Sequence, residues 1–526
     1  MSESNDKKRI VAVHRALMRF NKRAERSNDD QLVATFVDSE PLYDLLSTEN
    51  NQVIYGRRGT GKTHALKYHA EQVEKGNSAS VYIDLRNVGS NGSIYSDASR
   101  PLAERSSALI IDVLNALFDE LTNIAIMRID DVLHPDQVTD RIEDLRASIT
   151  SVRITGTVEE ASATEDGSER SLNADAALSK DPQLKLSLGN KDSSSRKESR
   201  KAAGVESIHL DFGNISASLR GLIQILGLNR IWLLVDEWSE IPILLQPYLA
   251  DLMRRTILPI PEITVKIAAI EHRTEFTILK DRGEYIGVEL GADMSADLNL
   301  DHYLVFDNNQ GKATDFFKTL LYKHYASTEG ALPEVQSGDD LVQIVFTQTP
   351  AFEEFVRAVE GVPRDAINLA AAIATKAFGE KVSINHVRAS ALEWYQQDKS
   401  AVIKNSPELS KALNFIIDEI IGNRRARAFL FPSNSRHELI EKLFDARLLH
   451  VLKRSVSSRD EPGVRYDVYK IDYGCYVELI NTSKAPLTLF EADEESIEVP
   501  RDDYRSIRRA ILRPEELDAV MAAASA

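Results

Sequence analysis

The first half of the chain alternates between short apolar runs and segments whose apolar residues recur every three or four positions. The short runs have the length and composition of buried strands and comprise residues 53–55, 80–85, 231–235 and 264–270. Residues 64–74 and 101–121 have the helical spacing. Strands that alternate with helices predict a parallel sheet with helices on its faces, so the expected fold class is α/β.

A basic amphipathic helix is predicted near the start of the chain, over residues 7–26. Its apolar positions are Ile10, Val13, Leu17 and Phe20, and its basic positions are Lys7, Lys8, Arg9, Arg15, Arg19, Lys22, Arg23 and Arg26. Such a helix either docks on the rest of the protein with its basic face in solvent, or forms an arm that binds a partner or nucleic acid. The pattern leaves both alternatives open.

The composition changes between residues 150 and 206, where serine, glycine, asparagine and charged residues dominate. Short alternating segments at 152–158, 184–188 and 208–212 predict an insertion with one or two hairpins and a poorly ordered tip. We interpret this insertion as a linker, with a dedicated partner-binding loop as the alternative.

Length, charge and cysteine content exclude several classes of protein. A chain of 526 residues is too long for one compact core, and roughly two to four domains are expected. The net charge of −17 disfavours general attraction to polyanions, so nucleic-acid binding would require a local basic face. The single cysteine, Cys475, cannot form an intrachain disulfide, and no apolar run suits a bilayer or a signal peptide. These features favour a cytoplasmic protein without a membrane partner.

The clearest chemical motif lies at residues 56–63, between a predicted strand and a predicted helix. It has the phosphate-loop pattern, in which glycines allow a tight turn whose amide groups, with the start of the next helix, cradle phosphate oxygens. Lys62 can reach the β- and γ-phosphates, and the Thr63 hydroxyl can hold Mg²⁺. The residues predicted to bind nucleotide are Gly56, Arg57, Arg58, Gly59, Thr60, Gly61, Lys62, Thr63 and His64.

A second motif completes the predicted site. The apolar run at 231–235 ends in Asp236 and Glu237, which places two carboxylates at the carboxyl end of a buried central strand. Asp236 is expected to act with Thr63 on Mg²⁺, and Glu237 to act as the general base that polarises the attacking water. Lys62, Asp236 and Glu237 are therefore the predicted catalytic residues of a triphosphatase site, with ATP and Mg²⁺ as cofactors.

A third motif, Gly361-Val362-Pro363-Arg364, begins a predicted helix. The phosphate loop, the strand end at 233–237 and this helix start occur in an order that resembles AAA+ ATPases, most closely the origin-recognition-like clade and its STAND-type relatives. The resemblance implies a parallel-sheet core, a helical lid and a C-terminal winged-helix domain of α+β type. The expected parts are a basic N-terminal helix at 1–30, the core at 31–310, the lid at 311–400, the winged-helix domain at 405–482 and a peripheral acidic tail at 483–526.

The resemblance also implies roles for individual residues. Arg364 would be the lid sensor arginine that reaches bound phosphate. The first sensor would lie among Glu271, His272 and Arg273, although these charges depart from the small polar residue typical of the family, and the insertion at 150–206 is a second departure. An arginine finger that completes a neighbouring subunit's site is expected in a homo-oligomer. The candidates for that finger are Arg254, Arg255 and Arg273.

The C-terminal third contains predicted helices at 407–422 and 435–446, followed by strands at 448–454 and 465–471. This order resembles the winged-helix domain of origin-recognition-like ATPases, in which a helix enters the major groove of double-stranded DNA and the wing contacts phosphates. The candidate DNA contacts are Arg424, Arg425, Arg427, Arg436, Lys453, Arg454, Arg459 and Arg465. Winged helices also serve as protein docking modules, so that alternative stays open.

The sequence thus predicts an ATP-binding and ATP-hydrolysing AAA+ switch that couples nucleotide state to DNA binding or to assembly. The alternative is a STAND-like signalling or anti-phage defence regulator, whose ATP-dependent assembly controls a partner effector protein without direct DNA binding. No nuclease, protease or deaminase motif is evident in the sequence, which fits a regulator that needs a partner.

Overall fold

The computed structural model describes residues 2–20, 28–39, 41–89, 95–132, 134–149, 152–155, 205–208, 210–302, 307, 309–457, 463–480 and 510–523. Its strands in these ranges are β1 (Gln52–Tyr55), β2 (Ser78–Asp84), β3 (Val152–Thr155), β4 (Val205–Ile208), β5 (Arg230–Asp236), β6 (Ile263–Ala269), β7 (Thr277–Leu279), β8 (Tyr285–Gly287), β9 (Ser295–Asn299), β10 (Ala428–Pro432), β11 (Leu449–Ser457) and β12 (Arg465–Ile471). Its α-helices are α1 (Ser2–Met18), α2 (Asp29–Thr35), α3 (Leu42–Leu46), α4 (Lys62–Val73), α5 (Leu102–Met127), α6 (Pro135–Ile149), α7 (Phe212–Ile225), α8 (Gln246–Thr256), α9 (Gln310–Ala326), α10 (Gly338–Val345), α11 (Thr349–Ala358), α12 (Pro363–Lys376), α13 (Ile384–Trp394), α14 (Ser400–Lys404), α15 (Pro407–Ile416), α16 (Glu438–Asp445), α17 (Tyr473–Tyr476) and α18 (Pro514–Ala523).

Five strands form one parallel sheet in the described part of the chain, in the order β2-β5-β6-β1-β9. Successive residues of β5 face opposite sides of this sheet. Leu233 belongs to the core under α5 to α8, whereas Leu234 belongs to the core under α3 and α4. Both faces are covered, which is why β5 is apolar over consecutive positions rather than alternating. The predicted α/β fold with a parallel sheet is confirmed.

The sheet order determines which strand ends meet. β6 lies between β1, which leads into the phosphate loop, and β5, which ends at Asp236. Since the carboxyl ends of parallel strands share one edge, the loop and Asp236 flank the segment that follows β6. The predicted neighbourhood of the two nucleotide motifs therefore follows from the topology.

The helical lid (α9 to α14) and the C-terminal segment (α15 to α18 with β10 to β12) share a second core. Buried side chains from α9 to α13, α15 to α17 and β10 to β12 form one continuous cluster. The boundary predicted near residue 400 falls within nearly unbroken helix, because a π-helical turn at Tyr395–Lys399 connects α13 to α14. Lid and C-terminal segment thus pack directly on each other.

The N-terminal helix belongs to the same cluster. Val13, Leu17 and Phe20 are buried in it, and α1 packs against α10 and α12. The basic positions Lys7, Lys8, Arg15 and Arg19 are exposed. The docking alternative therefore describes α1, while the predicted continuation with Lys22, Arg23 and Arg26 lies outside the described residues.

The C-terminal segment contains a three-stranded antiparallel sheet in the order β10-β12-β11. The predicted hairpin, β11 with β12, is present, and β10 is an additional strand that the sequence patterns did not indicate. One helix, α16, separates β10 from β11 in this part of the structure.

The expectation of a peripheral tail is wrong for residues 510–523. The backbone of Leu430 in β10 exchanges hydrogen bonds with Ala510 and Leu512, at 2.8 and 2.9 Å. Ala510, Leu512 and Leu517 are buried in the second core, because the described end of the tail is apolar. The acidic positions 491–495 lie outside the described residues.

The insertion at 150–206 is described only at its two ends, where β3 and β4 pair antiparallel. This agrees with a hairpin, and the predicted strand at 184–188 lies outside the described residues. Among the described helices, none is long and apolar enough to cross a bilayer.

Acid should destabilise this fold through its buried histidines, and His69 is the clearest case. Its ring lies 4.4 Å from that of Trp232, and burial, assisted by the Lys266 charge, lowers the pKa of His69 from 6.5 to about 4. The unfolded chain takes up this proton first, so the free energy of unfolding falls as the pH drops from 6.5 to 4. We expect His69→Phe to remove up to about 3 kcal/mol of that loss, at about 1.4 kcal/mol per pKa unit.

Urea denaturation at pH 7 and pH 4.5 measures this difference. The exposed His134 provides a control substitution, His134→Gln, which removes one histidine and retains the buried ring of His69. Equal acid losses for His69→Phe and wild type would contradict the assignment.

Candidate nucleotide-binding site

The phosphate loop joins the end of β1 to the start of α4. Gly59 and Gly61 have φ values of 94° and 100°, a region that residues with side chains rarely adopt. Gly61 directly precedes the first residue of α4, so the free amide groups of this helix start lie at the loop. The local backbone has the form that a phosphate cradle requires.

Lys62 is buried within the loop. Its Nζ donates to the carbonyl oxygens of Gly56 at 2.6 Å and Arg57 at 3.1 Å. Burial lowers the pKa of Lys62, while the charges of Asp236 and Glu237 oppose this shift, so both carboxylates lie within electrostatic range of the ammonium. Anionic phosphate oxygens are stronger acceptors than these two carbonyls, and the site therefore fits a nucleotide phosphate.

Asp236 is completely buried at the end of β5. Its Oδ2 accepts a hydrogen bond from the Tyr82 hydroxyl at 2.8 Å, and its Oδ1 accepts one from the Glu237 amide at 2.8 Å. Mg²⁺ prefers oxygen ligands and binds nucleotide sites through one or two protein groups plus phosphate. The Asp236 carboxylate and the Thr63 hydroxyl are the residues that would hold it, and their chemistry fits the ion.

Glu237 follows the strand in a left-handed conformation, with φ at 56°. Burial, followed by the charge of Asp236, raises the pKa of Glu237, and Lys62 and Arg86 partly oppose this. The Arg86 guanidinium lies 3.5 Å from the Glu237 carboxylate. A carboxylate with a raised pKa is a better proton acceptor, which suits the predicted general base.

The lid reaches the loop through the start of α12. The backbone amide of Arg364 donates to the carbonyl oxygen of Gly59 at 3.1 Å. The Arg364 charge also lowers the pKa of Lys62, so the two cations lie within electrostatic range of each other. This is the position at which a lid cation could contact a phosphate held by Lys62.

Arg57 leaves the phosphate loop and enters the C-terminal segment. Its guanidinium donates to the carbonyl oxygens of Leu449 at 2.8 Å and Phe444 at 3.2 Å, contacts Nδ1 of His450 at 3.1 Å, and lies 4.3 Å from the Phe444 ring centre. Its Nε pairs with Asp301 at 2.6 Å. Every nitrogen of the guanidinium is engaged, and the side chain is buried. A residue of the nucleotide motif thus holds the C-terminal segment.

The contact continues from His450 toward the lid. Burial, with the Arg57 charge, lowers the pKa of His450 to about 3, so the ring is neutral, accepts from Arg57 at Nδ1 and donates from Nε2 to Asp472 at 3.0 Å. Asp472 pairs with Lys399 at 2.5 Å, and Lys399 lies 3.2 Å from Asp365. Asp365 is the neighbour of Arg364 on α12. A buried polar chain therefore joins the loop, the C-terminal segment and the lid.

The charged cluster at 271–273 lies on the same interface. Arg273 pairs with Asp445 at 2.9 Å, and Glu271 accepts from Arg454 at 2.7 Å. Both partners belong to the C-terminal segment. This gives a structural reason for charges at positions where the resemblance leads one to expect a small polar residue.

The other sensor and finger candidates also contact residues of this chain. His272 packs edge-on against Phe444, with ring centres 5.2 Å apart. Arg254 and Arg255 both pair with Asp251, at 2.7 and 2.6 Å. An arginine finger at Arg254, Arg255 or Arg273 would require the ion pair of that residue to open, and all three assignments stay predictions.

The DNA-contact candidates differ in their exposure. Three are half-buried and pair with carboxylates: Arg424 pairs with Glu419 and Glu516, Arg427 with Asp307, and Arg454 with Glu271. The exposed candidates are Arg425, Arg436, Lys453 and Arg465, whereas Arg459 lies outside the described residues. A basic surface is therefore present only in part.

Helix α16 has the wrong charge for a major-groove helix. It carries Glu438, Glu441 and Asp445 against one basic residue, Lys442, and its end faces the nucleotide core through Asp445 and Phe444. Carboxylates repel the phosphate backbone. In this conformation α16 serves the interface with the core.

Several contacts at the candidate site were not predicted from the sequence. Asp301, Phe444 and His450 bind Arg57, but no local motif marks them. Tyr82 could have been found from the alternation of side chains along the two strands. It lies opposite Leu234 in the sheet register, so its side chain is on the same face as that of Asp236, two positions further along β5.

A parallel sheet whose first strand enters a phosphate loop, with an Asp-Glu strand end beside it and a lid helix on the loop, defines a P-loop protein of the AAA+ class. A family model described as ORC-CDC6-like matches residues 20–280. This match confirms the origin-recognition-like resemblance over residues 20–280, while the winged-helix assignment stays a prediction.

The other comparisons are weaker. The Orc1 protein of Aeropyrum pernix, in complex with DNA, aligns at 14% identity over 82% of this chain and 88% of its own, with a TM-score of 0.31. Cdc6p from Pyrobaculum aerophilum aligns at 12% identity over 89% of this chain and 97% of its own, with a TM-score of 0.28. No curated protein matches the chain.

The loop glycines provide a matched test of the lid contact. A Cβ at position 59 would lie 2.9 Å from Cβ of Arg364, whereas a Cβ at position 61 would meet nothing within 4 Å. Both positions have positive φ, so each alanine costs about 1–2 kcal/mol of backbone strain. Gly59→Ala should cost about 1–3 kcal/mol more through overpacking. Urea denaturation measures both, and equal losses would show that the lid helix does not press on the loop.

Proposed function

We propose that this protein is an ATP-hydrolysing switch that couples the state of its nucleotide to the position of its lid and C-terminal segment, and through them to DNA. One observation carries the proposal. Arg57 belongs to the loop that would bind phosphate, and its side chain is buried in the C-terminal segment. A change at the loop therefore acts directly on the docking of that segment.

Hydrolysis would use the residues that meet at the edge of the sheet. Lys62 would exchange two loop carbonyls for phosphate oxygens, and Arg364 would contact the same phosphate from the lid. Glu237 would accept a proton from the attacking water. Mg²⁺, held by Thr63 and Asp236, would neutralise phosphate charge when bound.

The coupling between nucleotide and the C-terminal segment follows from the hydrogen bonds that Lys62 would lose when it contacts a phosphate. In the described conformation the carbonyl of Arg57 accepts hydrogen bonds from Lys62 at 3.1 Å and from the Thr60 hydroxyl at 2.9 Å. Moving Lys62 onto a phosphate removes one of these bonds from the residue whose side chain holds the C-terminal segment. Bound nucleotide would therefore favour the loop conformation in which Lys62 contacts phosphate over the one in which Lys62 contacts the loop carbonyls. A switch requires such a difference in affinity between two states.

DNA is the proposed target because the family is origin-recognition-like and exposed cations remain on the C-terminal segment. Arg425, Arg436, Lys453 and Arg465 are exposed. We assign them the phosphate contacts. α16 would take no part in contacting DNA phosphates.

A second candidate function is favoured by the charge of α16. Release from Arg57 would expose Phe444 beside Asp445 and Glu441, an acidic and aromatic surface suited to a basic protein partner. This corresponds to the STAND-like regulator, in which nucleotide controls assembly or an effector protein without direct DNA binding.

Two substitutions separate nucleotide binding from turnover. Lys62→Ala should abolish ATP binding, because the buried ammonium is lost from the phosphate cradle. Glu237→Gln should keep binding and lower turnover by at least about 100-fold, the scale of a lost general base. Calorimetry and phosphate release measure these, and near wild-type turnover by Glu237→Gln would remove Glu237 from the catalytic role.

The docking contact should oppose nucleotide binding, and neighbouring arginines test this. Arg57→Ala and Arg58→Ala each remove one loop cation, but Arg58 is exposed and pairs with Glu240 of the core. If docking restrains the loop, Arg57→Ala should bind ATP about 5-fold or more tightly than Arg58→Ala, the lower range of measured couplings. Calorimetric titration compares the two, and equal affinities would contradict the restraint.

Direct DNA binding is tested by salt dependence. The double variant Arg425→Ala/Arg436→Ala should weaken binding of duplex DNA and reduce the slope of log affinity against log salt by about 2. Fluorescence anisotropy with and without ATP measures both quantities. Affinity that is insensitive to ATP, to salt and to this variant would favour the regulator that binds a protein partner.

A further inference from the structure

Strand β2 lies beside β5 in parallel register, with Tyr82 opposite Leu234 and Asp84 opposite Asp236. The Tyr82 side chain crosses to the end of β5, where its hydroxyl lies 2.8 Å from Oδ2 of Asp236. This hydrogen bond is shielded from solvent, because Asp236 is completely buried and Tyr82 is partly buried in the aromatic cluster that packs against α4.

The geometry gives the direction of this hydrogen bond. The phenolic hydroxyl of Tyr82 carries the proton and donates it to Oδ2 of the Asp236 carboxylate, which accepts. Asp236 receives one donor on each oxygen, from Tyr82 and from the Glu237 amide.

Two donors on opposite oxygens restrict rotation of the carboxylate. A carboxylate held in one orientation presents the same remaining lone pairs to a metal ion, and partners of this kind tune metal affinity. The ring of Tyr82 can be reproduced by phenylalanine, which fills nearly the same space. The hydroxyl is therefore the part of Tyr82 whose role is directed at Asp236.

We propose that Tyr82 is a positioning residue whose hydroxyl holds the Asp236 carboxylate in the orientation that binds Mg²⁺ with the nucleotide. This inference rests on the proposed function, because it assumes that Asp236 acts on Mg²⁺. It adds a residue that none of the nucleotide motifs contains.

The test measures binding in a Glu237→Gln background, in which turnover is blocked. A fluorescent ATP analogue is titrated in EDTA and then at increasing Mg²⁺. Tyr82→Phe should leave the affinity in EDTA unchanged and raise the Mg²⁺ concentration for half-maximal effect about tenfold, the lower range for lost metal-site partners. Tyr68→Phe removes a hydroxyl from the same aromatic cluster and should leave the Mg²⁺ dependence unchanged.

A double-mutant cycle shows whether Tyr82 acts through Asp236. In an Asp236→Asn background, Tyr82→Phe should produce no further change in Mg²⁺ dependence. An equal effect in both backgrounds, or no effect in either, would overturn the proposal. A reduced melting temperature for Tyr82→Phe with unchanged Mg²⁺ dependence would likewise overturn it and leave Tyr82 a purely structural role.

The parent Glu237→Gln protein distinguishes this failure from failure of the proposed function. If the parent binds no analogue, or binds it independently of Mg²⁺, the ATPase assignment itself is wrong. If the parent shows Mg²⁺-dependent binding and Tyr82→Phe behaves like the parent, only the role of Tyr82 is wrong.

Discussion

The buried guanidinium of Arg57 is the contact on which the arrangement of the three parts depends. It satisfies two carbonyl oxygens and one histidine nitrogen of the C-terminal segment while its own backbone forms the phosphate loop. A buried cation without partners is strongly unfavourable, so the loop and the C-terminal segment constrain each other. Any rearrangement of the loop must either keep these partners or replace them.

The same interface accounts for features that otherwise conflict with the family pattern. The charges at Glu271 and Arg273 are partners of the C-terminal segment, and the acidic end of α16 faces the core. The lid is included through Lys399 and Asp365, and Lys399 lies in the π-helical turn between α13 and α14. The phosphate loop, the lid and the C-terminal segment therefore meet in one polar network, in which a local change has a path to all three parts.

The sequence was sufficient to predict strands β1, β2, β5 and β6 of the sheet and the position of the two nucleotide motifs at one edge of it, because these signals are local. Buried strands such as β5 are apolar at consecutive positions, and Lys62 lies in a motif of fixed spacing. β9 escaped prediction because an edge strand reading Ser-Ala-Asp-Leu-Asn buries fully only Leu298. The role of Arg57 could not be predicted, since its partner Leu449 is 392 positions away and no spacing rule joins them. Long-range contacts of loop residues depend on how separate cores dock, which periodicity does not encode.

Hydrogen exchange of the backbone amides in α16 and β11, with and without a non-hydrolysable ATP analogue and Mg²⁺, tests the central claim most directly. Loss of protection at the phosphate-loop edge of these elements, accompanied by increased protection of residues 56–63, is the predicted result. It would mean that phosphate binding loosens the docking that Arg57 maintains. Increased protection of the loop with unchanged exchange in α16 and β11 would contradict the account, because the nucleotide would then be bound without any effect on the C-terminal segment.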